Sequence, residues 1–304
     1  MLRRVTRERR DRVVVFGGSG FVGSRVRELW DAEFELLAPT HAELNVLDMR
    51  AVGAFLDAAQ PAVMLNLAAG AHVDAAEAER GHHHGTVYTL NADFPGRLAA
   101  VCGERDIYLV HISTDYVFDG TQAARAYREE DPPNPLSWYG ETKLAGERLV
   151  QEAHPGACVA RIEMPFSGRA HARSDFARTC LRRLEAGEAI AGVTDQRITP
   201  VFLDDAIHAL RRLVAERYAG LIHVAATNWT TPYDYAHAIA GRLGLDTDMV
   251  QPTTFEAFSA TRPAPRPKYS WLEVTRFTDQ FGPNVLRPFE AGLDAWVAQS
   301  TSRV

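Results

Sequence analysis

The chain has 304 residues, 46% of them hydrophobic, and its 33 Lys+Arg against 39 Asp+Glu leave a formal charge of −6. That balance excludes nucleic-acid binding through bulk positive charge, and the apolar content excludes a disordered chain. No apolar run approaches the roughly 18 residues of a bilayer-spanning helix, and the basic segment from Met1 to Arg12 leads into too short an apolar stretch for a secretory signal, so a soluble cytoplasmic protein without a nucleic-acid or membrane partner is expected.

Short β-branched runs alternate with helix-length amphipathic segments from the start. Strands are predicted at Val13 to Phe16, Glu35 to Ala38, Val63 to Leu67, Tyr108 to Ser113 and Val159 to Ile162. Helices are predicted between them at Val22 to Asp31, Met49 to Ala59 with Asp48 as cap, Asn91 to Arg105 and Gly140 to Ala153. Asp131-Pro132-Pro133-Asn134-Pro135 reads as a loop, because proline removes donors and fixes φ. Beyond Ile162 the expected order is a helix from about Ser174 to Ala186, a strand at Thr199 to Leu203, a helix at Asp205 to Glu216, a strand at Leu221 to Ala225, a helix opened by Thr231-Pro232, and a last helix from Phe289 to Gln299. This is an α/β pattern, a Rossmann-like doubly wound parallel sheet with a smaller C-terminal substrate lobe. The division predicted is a cofactor domain over 1–162, completed by about 198–227, and a lobe from 163–197 and 228–304. Cys102, Cys158 and Cys180 are an odd number with no metal-ligand spacing and read as inert buried thiols.

The first chemical motif follows the first strand. Gly17, Gly20 and Gly23, with Ser19, Phe21 and Val22 between and after them, turn a buried strand into a helix, so backbone N–H groups and the positive helix end face a spot suited to a pyrophosphate. The Gly-x-x-Gly-x-x-Gly spacing resembles the short-chain dehydrogenase/reductase superfamily. Tyr139 and Lys143 lie one turn apart at the start of a helix, where an ammonium should stabilise the phenolate and bring the phenol toward working range. Thr114 ends the fourth strand, where ligands bind in doubly wound sheets.

His111-Ile112-Ser113-Thr114-Asp115-Tyr116-Val117-Phe118-Asp119-Gly120, followed by Trp138-Tyr139-Gly140-Glu141-Thr142-Lys143, resembles the dTDP-4-dehydrorhamnose reductase family. Asn66-Leu67-Ala68-Ala69, Val73-Asp74, Asn91 and the late Arg266-Pro267 extend the likeness over about residues 12–295. The resemblance implies a catalytic set of Thr114, Tyr139 and Lys143, backbone contacts to the cofactor at Ala68 and Ala69, and a nucleotide-sugar arm at Arg266. Val73, Asp115 and Met164 complete the implied substrate side. Two departures stand out: Asn45, followed by Val46, replaces the adenine-side Asp, and Met164 stands where many relatives carry Trp.

The reaction so implied is reduction of a 4-keto (6-deoxy) nucleotide sugar by a nicotinamide cofactor. Ala38-Pro39-Thr40-His41 at the end of the second strand offers no carboxylate to a ribose, so NADP(H) is expected in preference to NAD(H), with Thr40 and His41 donating to the 2′-phosphate. A 4-epimerase with tightly held NAD is the alternative, as is a non-catalytic NADP-binding subunit resembling the methionine adenosyltransferase beta subunit. Dehydration is disfavoured because Asp115 is followed by Tyr116 and not by a second acid. His82-His83-His84 reads as a solvated loop, with no metal expected. The partners expected are a nucleotide-sugar substrate and, in a homodimer, a second copy.

Overall fold

The computed structural model describes residues 10–301. The chain runs β1 (Arg12–Phe16), α1 (Phe21–Trp30), β2 (Glu35–Leu37), α2 (Met49–Ala59), β3 (Val63–Asn66), α3 (Val73–Glu77), α4 (Thr86–Tyr88), α5 (Phe94–Glu104), β4 (Tyr108–Thr114), α6 (Trp138–Ala153) and β5 (Cys158–Ile162). It continues through α7 (Phe176–Glu185), β6 (Ile190–Val193), α8 (Leu203–Glu216), β7 (Gly220–Val224), α9 (Pro232–Leu243), β8 (Val250–Thr253), α10 (Phe255–Ser259), α11 (Thr275–Phe281) and α12 (Phe289–Thr301).

β1 is an unbroken apolar run because both its faces are covered. Val13 and Val15 enter one core with Val26 and Trp30 of α1, while Val14 and Phe16 enter another with Leu56 of α2 and Leu98 of α5. The main sheet has six parallel strands in the order β2-β1-β3-β4-β5-β7. From β1 the chain goes outward to β2 and then crosses back to β3 on the other side, which opens a crevice at the carboxyl ends of β1 and β3. No helix among the described residues is long and apolar enough to cross a membrane.

A second, two-stranded parallel sheet of β6 and β8 was not legible in the sequence. It shares a third core with α7, α9 and α12, centred on Tyr235, Ile239 and Trp296. The strand predicted at Thr199 to Leu203 does not form. Ile198 and Phe202 make single bridges to Thr230 and Phe166, and α8 begins at Leu203. Pro200 has no N–H for a ladder, and the Thr199 N–H goes to Glu163 Oε2 at 3.0 Å. The helix predicted from Asn91 starts at Phe94, after a π turn over Thr89–Asp93. In that turn the Asn91 side chain bonds Gly70 through both its atoms and Thr142 Oγ1 at 3.0 Å. The three cysteines are buried and free.

Candidate active site

The crevice is a cleft of about 430 Å³ that gathers Gly17, Gly20, Phe21, Val22 and Gly23 of the glycine turn with Thr114, Tyr139 and Lys143. Gly17 has φ +79, and a Cβ there would stand 2.7 Å from the Leu67 carbonyl carbon. A Cβ on Gly23 would stand 2.2 Å from Gly17 O, so only glycine lets α1 pack this close to the turn. The α1 N-terminus has no side-chain cap and no acidic residue in its first turn. Uncapped N–H groups at a positive helix end above a backbone cradle fit the pyrophosphate of a dinucleotide. Ser113 Oγ, buried without a protein partner, adds a free polar atom to the cleft wall.

α6 carries Tyr139 in its first turn, opened by the Ser137 cap on Gly140 N at 3.2 Å. Its seat on the sheet is fixed by a buried ion pair, Arg161 of β5 to Glu147, at 2.7 and 2.9 Å. Losing one member of such a pair costs about 3–5 kcal/mol. One turn beyond Tyr139, Lys143 is buried and gives a hydrogen bond to Ile112 O at 2.6 Å. Its pKa is pushed down to about 8, chiefly by burial and against the pull of Glu147.

The phenol differs from the sequence expectation. Burial pushes Tyr139 up to about 12, with the Asp115 charge acting in the same sense and the Thr114 hydroxyl and the positive charge of Arg173 partly offsetting it. Lys143 directs its ammonium at Ile112 O and does not draw the phenol down. Tyr139 is therefore a protonated donor at neutral pH, the form a reductase needs for its acid. Thr114 gives its own proton to Asp115 Oδ1 at 2.9 Å.

Ala69, Val73, Asp115 and Met164 also line the cleft. Met164 holds φ +38, a left-handed backbone uncommon for a residue with a Cβ. Ser19, Ala68, Thr40, His41, Asn45, Val46 and Arg266 do not line it. Ser19 offers only its carbonyl, to His171 Nε2 at 3.2 Å, and Asn45 Oδ1 closes a turn on Leu47 N at 3.1 Å. Thr40 is not free for a 2′-phosphate, because its N–H and hydroxyl both bond the ionised Glu43 carboxylate at 2.7 and 2.9 Å. The stretch thus carries an acid that the sequence reading missed. Arg266, expected on a diphosphate, spends its fork on Asp74 at 2.8 and 3.0 Å.

Residues the sequence did not signal enter through the loop between β5 and α7. Arg173, Ser174 and Asp175 line the cleft, Arg173 bonds Ala71 O at 3.2 Å, and the His171 ring packs edge-on against Phe21 at 5.6 Å. This loop has no helical or strand period, so its position depends on the cleft beneath it. Among the described residues no cluster of three His, Cys, Asp or Glu is arranged for a metal; His83 packs on Tyr88 and Trp138.

The family model for the RmlD substrate binding domain matches residues 11–302. The chain belongs to that family. It is 36% identical over 290 residues to a dTDP-4-dehydrorhamnose reductase of Mycolicibacterium smegmatis, covering 94% of this chain and 85% of the relative. It is 30% identical to the methionine adenosyltransferase 2 subunit beta of Bos taurus, covering 93% and 86%. Among solved structures, the dTDP-4-dehydrorhamnose reductase of Bacillus anthracis in complex with NADP superposes with a TM-score of 0.87 at 26% identity, covering 95% of this chain and 99% of that one. Family membership agrees with the Rossmann-like sheet and the site at its crevice.

Proposed function

We propose that this chain reduces the ring ketone of a 4-keto-6-deoxy sugar carried on a nucleoside diphosphate, using NADP(H) or NAD(H). The observation that carries the reading is that Thr114, Tyr139 and Lys143 line the same cleft as the Gly17 to Gly23 cradle. The bound nicotinamide supplies the hydride. Tyr139 gives its proton to the ketone oxygen as negative charge develops there, and Thr114 turns its hydroxyl from Asp115 to orient that oxygen. Lys143 holds the cofactor ribose. Arg173, the arginine that lines the cleft, takes the anion-facing place that the family resemblance implied for Arg266.

The same proposal divides the molecule into a cofactor domain, 1–162 with 198–227, and a sugar-binding lobe from the rest, in a cytoplasmic homodimer. Support comes from β7 and α8 returning to the main sheet while β6 and β8 build a separate core. The test is a panel of 4-keto nucleotide sugars with NADPH, read by absorbance loss and product NMR, with light scattering for the dimer. Net cofactor oxidation with a new hydroxyl at C4 supports the reading. Conversion without net oxidation, on co-purified NAD, would show an epimerase. Tight cofactor binding with no turnover on any sugar would favour a regulatory subunit, as the likeness to the methionine adenosyltransferase subunit suggests.

A further inference from the structure

Beneath the cleft lies a polar group that the reaction does not use. His111 on β4 is 0% exposed, with Asn66 Nδ2 3.1 Å from its Nδ1 and Lys143 Nζ 3.4 Å from its Nε2. The backbone sets the direction of the Asn66 amide, whose Oδ1 accepts the Ala68 N–H at 3.3 Å. Asn66 therefore turns its nitrogen to the imidazole, and an amide nitrogen only donates. Nδ1 must accept, so the single proton of the neutral ring stands on Nε2 and points at Lys143. Burial keeps the ring neutral, and the Lys143 charge acts in the same sense.

An imidazole N–H facing an ammonium sets two donors against each other. A neutral amine has a lone pair to accept that N–H and can still donate to Ile112 O. We propose that His111, its tautomer fixed by Asn66, is a positioning residue that disfavours the charged form of Lys143 and so sets the pH at which the lysine beside Tyr139 exchanges its proton. The other charged group acting on Lys143 is Glu147 on α6, which favours the ammonium and is itself paired with Arg161 of β5. Burial also lowers the Lys143 titration, so a test must separate the two effects.

The sequence makes that separation practical, because its only lysines are Lys143 and Lys268. Labelling lysine with ¹³C at Cε gives two signals, and Lys268, half-exposed and paired with Asp195 at 2.5 Å, is the internal reference. In the unsubstituted protein Lys143 should titrate well below Lys268. In His111→Gln, whose carbonyl accepts from an ammonium, and in Asn66→Ala, which frees the ring to carry its proton on Nδ1, the Lys143 titration should rise by about one unit or more, a tenfold change in amine fraction at fixed pH. A titration unmoved in both variants, or an ordinary lysine value in the unsubstituted protein, overturns the proposal. The ¹⁵N spectrum of His111 needs no substitution: a proton on Nε2 supports it, and a proton on Nδ1 overturns it. All of these are read without substrate, so they stand or fall separately from the ketoreductase assay.

Discussion

Asp115, next after β4, and Glu163, next after β5, are buried carboxylates that share the hydroxyl of Ser270, which donates to Glu163 Oε1 at 2.8 Å and also bonds Asp115. Two acids in one desolvated place do not both ionise. Burial and then the Asp115 charge push Glu163 up to about 8, while burial pushes Asp115 up to about 6. The pair holds about one proton near neutrality, one side chain away from Thr114.

That proton makes stability depend on pH. The folded pKa of Glu163 lies above the unfolded one, so its contribution is complete below the ordinary carboxylate range and is lost as pH rises through about 8. Stability should fall as pH rises from about 6.5 to 8, by up to about 1.4 kcal/mol per pH unit, and melting temperature should fall with it; above about 8 the slope ends and the lowered pKa of Lys143 acts in the opposite sense. The buried neutral His111 and His223 act in the opposite sense, and only as pH falls below the ordinary histidine value, so they leave this window clear. Glu163→Gln keeps a neutral, hydrogen-bonding side chain and should flatten the slope. Identical slopes in the two proteins would mean that Glu163 is ionised when folded.

Tyr139→Phe keeps the ring and removes the acid. Turnover should drop by at least about 10²-fold, with cofactor affinity changed no more than a few-fold. Lys143→Ala should weaken cofactor binding as well as slow the reaction. Isothermal titration beside steady-state kinetics separates the two, and a Phe variant with a tenth of the original rate would remove Tyr139 from the acid's role.

Cofactor preference should respond to two charges near the end of β2. Glu43 holds Thr40, and its carboxylate would repel a 2′-phosphate; Arg27 of α1 lies behind the glycine turn, its Cδ 3.5 Å from where a Cβ on Gly18 would stand. Glu43→Gln should raise the NADPH-to-NADH ratio of kcat/KM, and Arg27→Ala should lower it, each by about tenfold, the effect of about 1.4 kcal/mol. Ratios unchanged in both variants would place the 2′-position elsewhere.

Met164 faces the cleft on a left-handed backbone, which a packing residue seldom requires. Met164→Trp should change the ratio of efficiencies between the native sugar and dTDP-4-keto-6-deoxy-L-mannose while cofactor affinity holds. Equal losses on both sugars would identify it as packing alone.

By itself the sequence determined the parallel sheet, the glycine turn and the placing of Tyr139 and Lys143 on one helix face, because these rest on local relations: apolar runs of strand length, a glycine spacing that allows one turn, and a Tyr-to-Lys interval of one helical turn. Only the tertiary structure decided which charges act on those residues. The phenol is governed by burial, Arg266 is taken up by Asp74, and Thr40 is held by Glu43, none of which a linear pattern records. Glu163 gave a faint signal as an acid directly after a fully buried strand, but its partners Asp115, Thr199 and Ser270 come from distant parts of the chain. Charge interactions depend on distance and on desolvation, and both are set only when separate segments pack together.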